Sequence, residues 1–215
     1  MAKSKFNELQ FFIIFFVIFL LISNLGTSQM LQQESSMGTM PAVAVLTPAI
    51  VQLALIFLII WAAKSGGNSL QDIGFKTYSW WIDCLIGIGL LFFLLFTVPR
   101  LDVFLVDVLH LNEVAIGGAP FSPLWVVSGV IIGIAEELIF RGYGYTILKK
   151  YVKRWWISLL VVSILFGLEH LYKGSAGVAQ TFIIALIANV VFIWRKSLIP
   201  IVIAHVGMII LMPFI

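Results

Sequence analysis

The chain has 215 residues, of which 61% are hydrophobic and 11% charged, and it carries a net charge of +3. Soluble domains hold about 25% charged and about 45–50% apolar residues, so this composition excludes a water-soluble globule. A span takes roughly 20 apolar residues, which leaves room for several crossings and no sizeable soluble domain. The single cysteine, Cys84, excludes an intrachain disulfide and a cysteine metal cluster.

Seven apolar runs follow one another along the chain. The first, residues 9–25, comes after Lys3 and Lys5; its length and the lack of a small-x-small cleavage site make it a retained anchor rather than a signal peptide. The second covers residues 46–63 and the third 80–98, opened by Trp80 and Trp81 where an aromatic belt anchors helix ends. Asp83, just inside that belt, is expected to reach the headgroups. In residues 101–111, Asp102, Asp107 and His110 interrupt the apolar pattern, which predicts a short interfacial helix with His110 at the outer surface. The remaining runs cover residues 123–148, 155–171 (opened by Trp155 and Trp156), 176–194 and 198–215. No internal repeat is visible, so the matching broken halves of a transporter are not expected. The fold class is therefore all-α: a polytopic transmembrane helical bundle of about seven spans, in one membrane domain, residues 1–215.

Lys and Arg placement sets the orientation, because positive loops stay in the cytoplasm. With the N-terminus cytoplasmic, the inner segments hold Lys3, Lys5, Lys64, Lys76, Lys149, Lys150, Lys153, Arg154, Arg195 and Lys196, against Arg100 and Lys173 outside. Residues 26–47 carry no Lys or Arg. The basic balance is thus explained by topology, and no nucleic acid partner is implied.

Ionisable side chains within spans cost roughly 2.5–3.5 kcal/mol each on insertion scales and mark functional sites by default. Glu136, Glu137, Arg141, Glu169, His170 and His205 all fall in the last four runs. Glu137 and Arg141, four apart with the acid first, form a same-face pair on a helix. Glu136 is turned by about 100° from Glu137 and is left free for chemistry. Phe166 and His170 are also four apart and share a face. Counted at about 1.5 Å per residue from the basic clusters, Glu136, His170 and His205 lie roughly 20, 24 and 14 Å deep, so all three can meet in mid-membrane.

A Glu and two His in a dehydrated pocket suit activation of water by a general base beside an oxyanion-stabilising imidazole. The same three residues equally resemble the ligands of a hydrolytic zinc site. HExxH is absent, which argues against a zincin-like protease, and neither a Gly-x-Ser-x-Gly motif nor paired intramembrane Asp residues occur. Glu169 reads as a helix-end polar group, Gly129 and Gly133 as small residues permitting close helix contact, and Met208 and Met212 as core.

The string Glu136-Glu137-Leu-Ile-Phe-Arg141, then Phe166-Gly-Leu-Glu-His170, then His205 shortly after Ser197-Leu-Ile-Pro200, resembles the CAAX protease and bacteriocin-processing family, also called the Abi family. Its motifs run EExxxR, FxxxH and HxxxN or HxxxD on successive late spans, and the resemblance covers residues 123–215, which would be the catalytic core. It implies a glutamate-dependent intramembrane endopeptidase without a metal, although an older view made the family metalloproteases; zinc would then sit on Glu136, His170 and His205. By the same resemblance Glu136 and His170 activate water, His205 joins the oxyanion pocket, and Glu137, Arg141 and Phe166 support the site. Eukaryotic and archaeal members cleave prenylated CAAX proteins, while bacterial ones are associated with bacteriocin self-immunity, peptide maturation or control of sensor kinases. The implied partners are a peptide or lipidated protein substrate, membrane lipids and a membrane sensor kinase; the implied location is a bacterial or archaeal cell membrane. The third motif departs from the pattern: it reads His205-Val-Gly-Met-Ile209, apolar where the family has an amide or carboxylate. Asn189 is a candidate for the missing amide, with helix packing as the competing role. That departure also keeps open a non-catalytic regulator or immunity protein using the same cavity.

Overall fold

The computed structural model describes residues 7–37, 42–114, 123–211 and 214. Described residues form α1 (Glu8–Met37), α2 (Ala42–Ser65), α3 (Trp80–Val103), α4 (Pro123–Glu137), α5 (Thr146–Val152), α6 (Trp155–Glu169), α7 (Gly174–Arg195) and α8 (Ile199–Leu211). A π-helical stretch, Leu138–Tyr145, joins α4 to α5 in one rod, so seven rods match the seven expected runs. Five are long and apolar enough to cross a bilayer, whereas α6 and α8 are shorter apolar helices of 15 and 13 residues. The protein is an all-α membrane bundle.

Side-chain distribution shows which solvent the bundle is built for. The outward face of α1 exposes Ile13, Ile14, Val17, Ile18 and Leu21, and α3 exposes Phe92, Phe93 and Phe96. In water such a surface would drive association, but in lipid tails it is neutral. Trp80, Trp81, Trp155, Trp156 and Trp194 are all exposed near helix ends, as belt residues are. The inward face of α1 stacks Phe12, Phe15, Phe16 and Phe19 against Phe140, which meets Phe166 edge-on at 5.0 Å.

Small residues set how closely the helices carrying polar groups approach. A Cβ on Gly133 of α4 would lie 2.9 Å from Val206 Cγ2, and one on Gly129 would lie 2.7 Å from Ile209 Cγ2. On the other side of α8, a Cβ on Gly87 of α3 would meet the Pro200 carbonyl oxygen at 2.8 Å. Helix α8 is therefore wedged between α3 and α4 at glycine contacts, as small-residue packing in membranes permits.

Three expectations are corrected. Residues 101–111 hold no separate interfacial helix: α3 runs on through Val103 and continues as a π-helical turn, Phe104–Val108, with Pro99 inside the rod. Asp102 is accommodated by Gln180 of α7, which donates to it, while Asp107 and His110 are exposed. Asp83 does not reach outward; it is fully buried, accepting from Arg195 Nη2 at 2.7 Å and from Thr77 Oγ1 at 2.8 Å. A basic partner across the bundle makes burial cheaper than snorkelling. Helix α1 also continues to Met37, well into the stretch read as a loop. Lys3, Lys5 and Met212 lie outside the described residues.

Candidate active site

The polar centre begins where α4 ends. Glu136 and Glu137 occupy its last two positions, and Arg141 sits one turn on, in the π-helical stretch. All three are buried. The expected i,i+4 pair forms, Arg141 Nη1 donating to Glu137 Oε1 at 3.2 Å. The Arg141 guanidinium also lies over the Phe166 ring, 4.3 Å from its centre, a cation–π contact favoured by the dry surroundings.

His205 reaches this pair from α8 through the close contact at Gly129 and Gly133. Its Nδ1 lies 2.7 Å from Glu137 Oε1, and its Nε2 lies 3.6 Å from Glu136 Oε2. The ring therefore stands between two consecutive carboxylates, which share His205 as a neighbour across their offset of about 100° on the helix. Glu137 is a hub: one oxygen serves both Arg141 and His205, and its Oε2 is buried with no protein partner.

His170 caps α6, with its ring Nδ1 2.9 Å from the Phe166 carbonyl oxygen. A carbonyl only accepts, so Nδ1 carries the hydrogen, and the Nε2 of a neutral ring presents a lone pair. Phe166 touches both imidazoles, at ring-centre distances of 5.0 Å to His170 and 6.0 Å to His205. Among the described residues no hydrogen bond joins Glu136 to His170; the polar neighbour of Glu136 is His205.

Glu137, Arg141, Phe166, His170 and His205 line one cavity of about 260 Å³. Leu90, Leu94 and Val98 of α3 form part of its apolar wall, and Ile209 lines it with no hydrogen-bonding atom. Asn189 is elsewhere: its Nδ2 donates to Ser163 Oγ at 2.9 Å, tying α7 to α6. It is not among the residues lining the cavity, and the contact it makes is the helix-packing one. Glu169 does lie at a helix end, but buried, accepting from Ser23 Oγ of α1 at 3.3 Å.

One cavity residue escaped the sequence reading. Lys173 closes a short 3₁₀ turn after His170 and lines the cavity, interacting electrostatically with Glu136, Asp102 and Glu169. Its signal was its place, one of two basic residues on the otherwise base-poor side, three positions beyond a motif histidine. Its turn is held by Val114 N donating to the Lys173 carbonyl at 3.1 Å and Ala176 N to the Asn112 carbonyl at 3.0 Å.

A zinc ion would need Glu136, His170 and His205 as a converging set. Among the described residues no three His, Cys, Asp or Glu side chains are grouped to hold a metal.

Comparison with known proteins agrees with the motif resemblance. Residues 118–211 match the family model described as "Type II CAAX prenyl endopeptidase Rce1-like". The chain is also similar to the UPF0177 protein YxdF of Lactococcus lactis subsp. lactis, with 28% identity over 128 residues, covering 55% of this chain. That match spans 66% of the relative's length, just under two thirds. No solved structure matches the chain.

Proposed function

We propose that this chain, whose residues 118–211 match the Rce1-like CAAX prenyl endopeptidase model, is a metal-independent intramembrane endopeptidase. In this reading it hydrolyses a peptide bond in a membrane-embedded peptide or lipidated protein terminus, with its lysine-rich end facing the cytoplasm. The observation that supports it best is the convergence of Glu137, Arg141, His170 and His205 on one cavity inside an apolar bundle, with Glu136 behind that lining, 3.6 Å from His205.

Charge bookkeeping assigns the roles. With Arg141 positive and Glu137 negative, Glu136 and His205 between them hold one proton if the buried cluster is to stay neutral, as burial demands. With that proton on His205, Glu136 is a carboxylate base and the His205 Nε2–H is a donor on the Glu136 side of the ring. Glu136 then takes a proton from water while the oxygen attacks the scissile carbonyl. His205 donates to the developing oxyanion, held in place by its Nδ1–H on Glu137. The proton on Glu136 passes to the leaving amine, which restores the starting state. The lone pair of His170 Nε2 accepts from the attacking water and orients it.

The test compares membrane peptides from cells expressing wild-type chain or Glu136→Gln at equal abundance. A peptide product present with the wild type and missing with the variant supports the reading. Identical peptide profiles alongside a retained cellular phenotype would instead favour a regulator that uses the cavity without cleaving.

A further inference from the structure

A second hollow, of about 410 Å³, opens at the lysine-rich end of the bundle, away from the cavity described above. Its walls come from the loop after α2, from the π-helical stretch and α5, and from the end of α7 with Lys196. Leu198 N donates to the Gly74 carbonyl at 3.1 Å and Thr146 Oγ1 to the Asp72 carbonyl at 3.2 Å, holding the loop against both helical segments. Lys196 closes α7 in the left-handed conformation, at φ 57°.

Four lysines line it: Lys76, Lys149, Lys150 and Lys196. The neighbouring acids are already committed. Glu8 takes Lys150 at 2.7 Å and accepts from Asn68, Asp83 takes Arg195, and Asp72 Oδ2 accepts from Ser69 N at 2.8 Å and Ser69 Oγ at 2.7 Å. Among the described residues no carboxylate forms an ion pair with Lys76, Lys149 or Lys196. Lys196 stands against Lys149, and partial burial, then repulsion from Lys149, hold it below the usual lysine range. Asp72 also lines the hollow and interacts electrostatically with Lys76, which leaves Lys149 and Lys196 side by side with no carboxylate paired to either, in a fold that neutralises Lys150 and Arg195 close by.

Tyr145 adds an independent observation. It lines the same hollow, is 2% exposed, and its buried hydroxyl has no protein partner. The wall thus offers donors in excess, which suits a ligand with several acceptor oxygens on one centre. A neighbouring hollow of about 340 Å³ shares Tyr145 and Lys149 and runs past Lys153 to Ile193 and Trp155. Trp155 is a belt residue, so this limb leads from the lysines to the lipid boundary.

We propose that this basin is a binding site for a phosphate group, carried by an anionic phospholipid whose apolar part leaves over Ile193 and Trp155. Each juxtamembrane lysine strengthens anionic-lipid attraction several-fold. The phosphate accepts from Lys149, Lys196 and the Tyr145 hydroxyl. This inference is independent of the peptidase reading, since it uses none of the cavity residues.

The test uses full-length protein in phosphatidylcholine nanodiscs with and without phosphatidylglycerol, and in detergent with inorganic phosphate against chloride of equal ionic strength. Retained lipid is read by native mass spectrometry and stability by melting temperature. Phosphatidylglycerol should be retained and should raise the melting temperature. The double variant Lys149→Ala/Lys196→Ala should bind it about 30-fold more weakly, Tyr145→Phe should bind less tightly, and the double Lys→Arg variant should keep binding. The same variant sensitivity with inorganic phosphate alone would uphold the phosphate site and make its source a free anion. Equal retention by wild type and the double alanine variant, or equal weakening by Lys64→Ala, which lies outside the hollow, would overturn the proposal.

Discussion

Two buried arginine–carboxylate pairs sit at different places in this bundle, and they are built differently. In the Asp83–Arg195 pair both carboxylate oxygens are used: Oδ1 accepts from Arg195 Nε at 2.8 Å and Nη2 at 2.7 Å, while Oδ2 accepts from Thr77. Neither residue lines the catalytic-candidate cavity. In the Glu137–Arg141 pair one oxygen carries Arg141 and His205 together, while Glu137 Oε2 and Arg141 Nε have no protein partner. Both residues line the cavity. A pair whose two carboxylate oxygens are both already bonded, away from any cavity wall, is suited to holding helices together. A pair that keeps capacity in reserve beside a cavity can hold a reacting group, and such unsatisfied buried atoms call for a functional account.

The largest effect expected from this contrast is on chemistry beside the open pair, at Glu136, which meets the same His205. Glu136→Gln removes the base and keeps the shape, so kcat on a peptide identified in the membrane comparison should fall by about 10²–10⁴. Its melting temperature should stay near that of the wild type. A variant that retains more than a tenth of the wild-type kcat would separate Glu136 from the reaction.

The closed pair should give the reverse pattern. Asp83→Ala leaves the buried Arg195 charge unpaired, and breaking a buried pair costs about 3–5 kcal/mol. Thermal unfolding in detergent should register this as a large drop in melting temperature, while kcat per folded molecule is preserved at lower temperature. Equal loss of rate and stability would erase the distinction between the pairs.

These pairs also show what was legible in the sequence. Glu137 and Arg141 are four residues apart on one helix, so local geometry announces them. Asp83 and Arg195 are separated by 112 positions, and nothing local to Asp83 points to its partner; the cheapest local reading, outward snorkelling, was the wrong one. The seven rods and the three motifs could be read because hydropathy and helical spacing are local properties. Three features could not, because each depends on which helices pack together. They are the seat of His205 between Glu136 and Glu137, the turn that brings Lys173 into the wall, and the use of Asn189 to bind Ser163.

A smaller effect tests the helix contact that brings His205 to the open pair. On Gly133→Ala the new Cβ would stand 2.9 Å from Val206 Cγ2 and 3.4 Å from Ile209 Cδ1, so α8 must give by a few tenths of an ångström. Overpacking of this kind costs about 1–3 kcal/mol. Because His205 rides on α8, rate should fall several-fold beyond what lost stability explains. The Ser163→Ala control, at the α6–α7 contact, should lower stability without the extra loss of rate.

The smallest effect, and the one opposite in sign, concerns Ile209. Its Cγ2 faces Gly129 and its Cδ1 faces Gly133, so it fills the notch between α8 and the glycines of α4 as well as lining the cavity. Ile209→Asn exchanges that filling for an amide one helical turn from His205. Removing a preorganised oxyanion donor costs about 10²–10³ in rate. An added donor without a supporting shell should recover only part of this, about tenfold in kcat. The notch loses methyl packing, at about 1–3 kcal/mol of stability. Ile209→Leu keeps the apolar volume and supplies no donor, so it should alter stability slightly and leave kcat unchanged. A rise in kcat confined to the asparagine variant would identify His205 as a lone side-chain donor in an oxyanion pocket short by one. If asparagine and leucine behave alike, Ile209 serves packing alone, and the oxyanion must be stabilised elsewhere on the wall, where Arg141 and Lys173 are the cations.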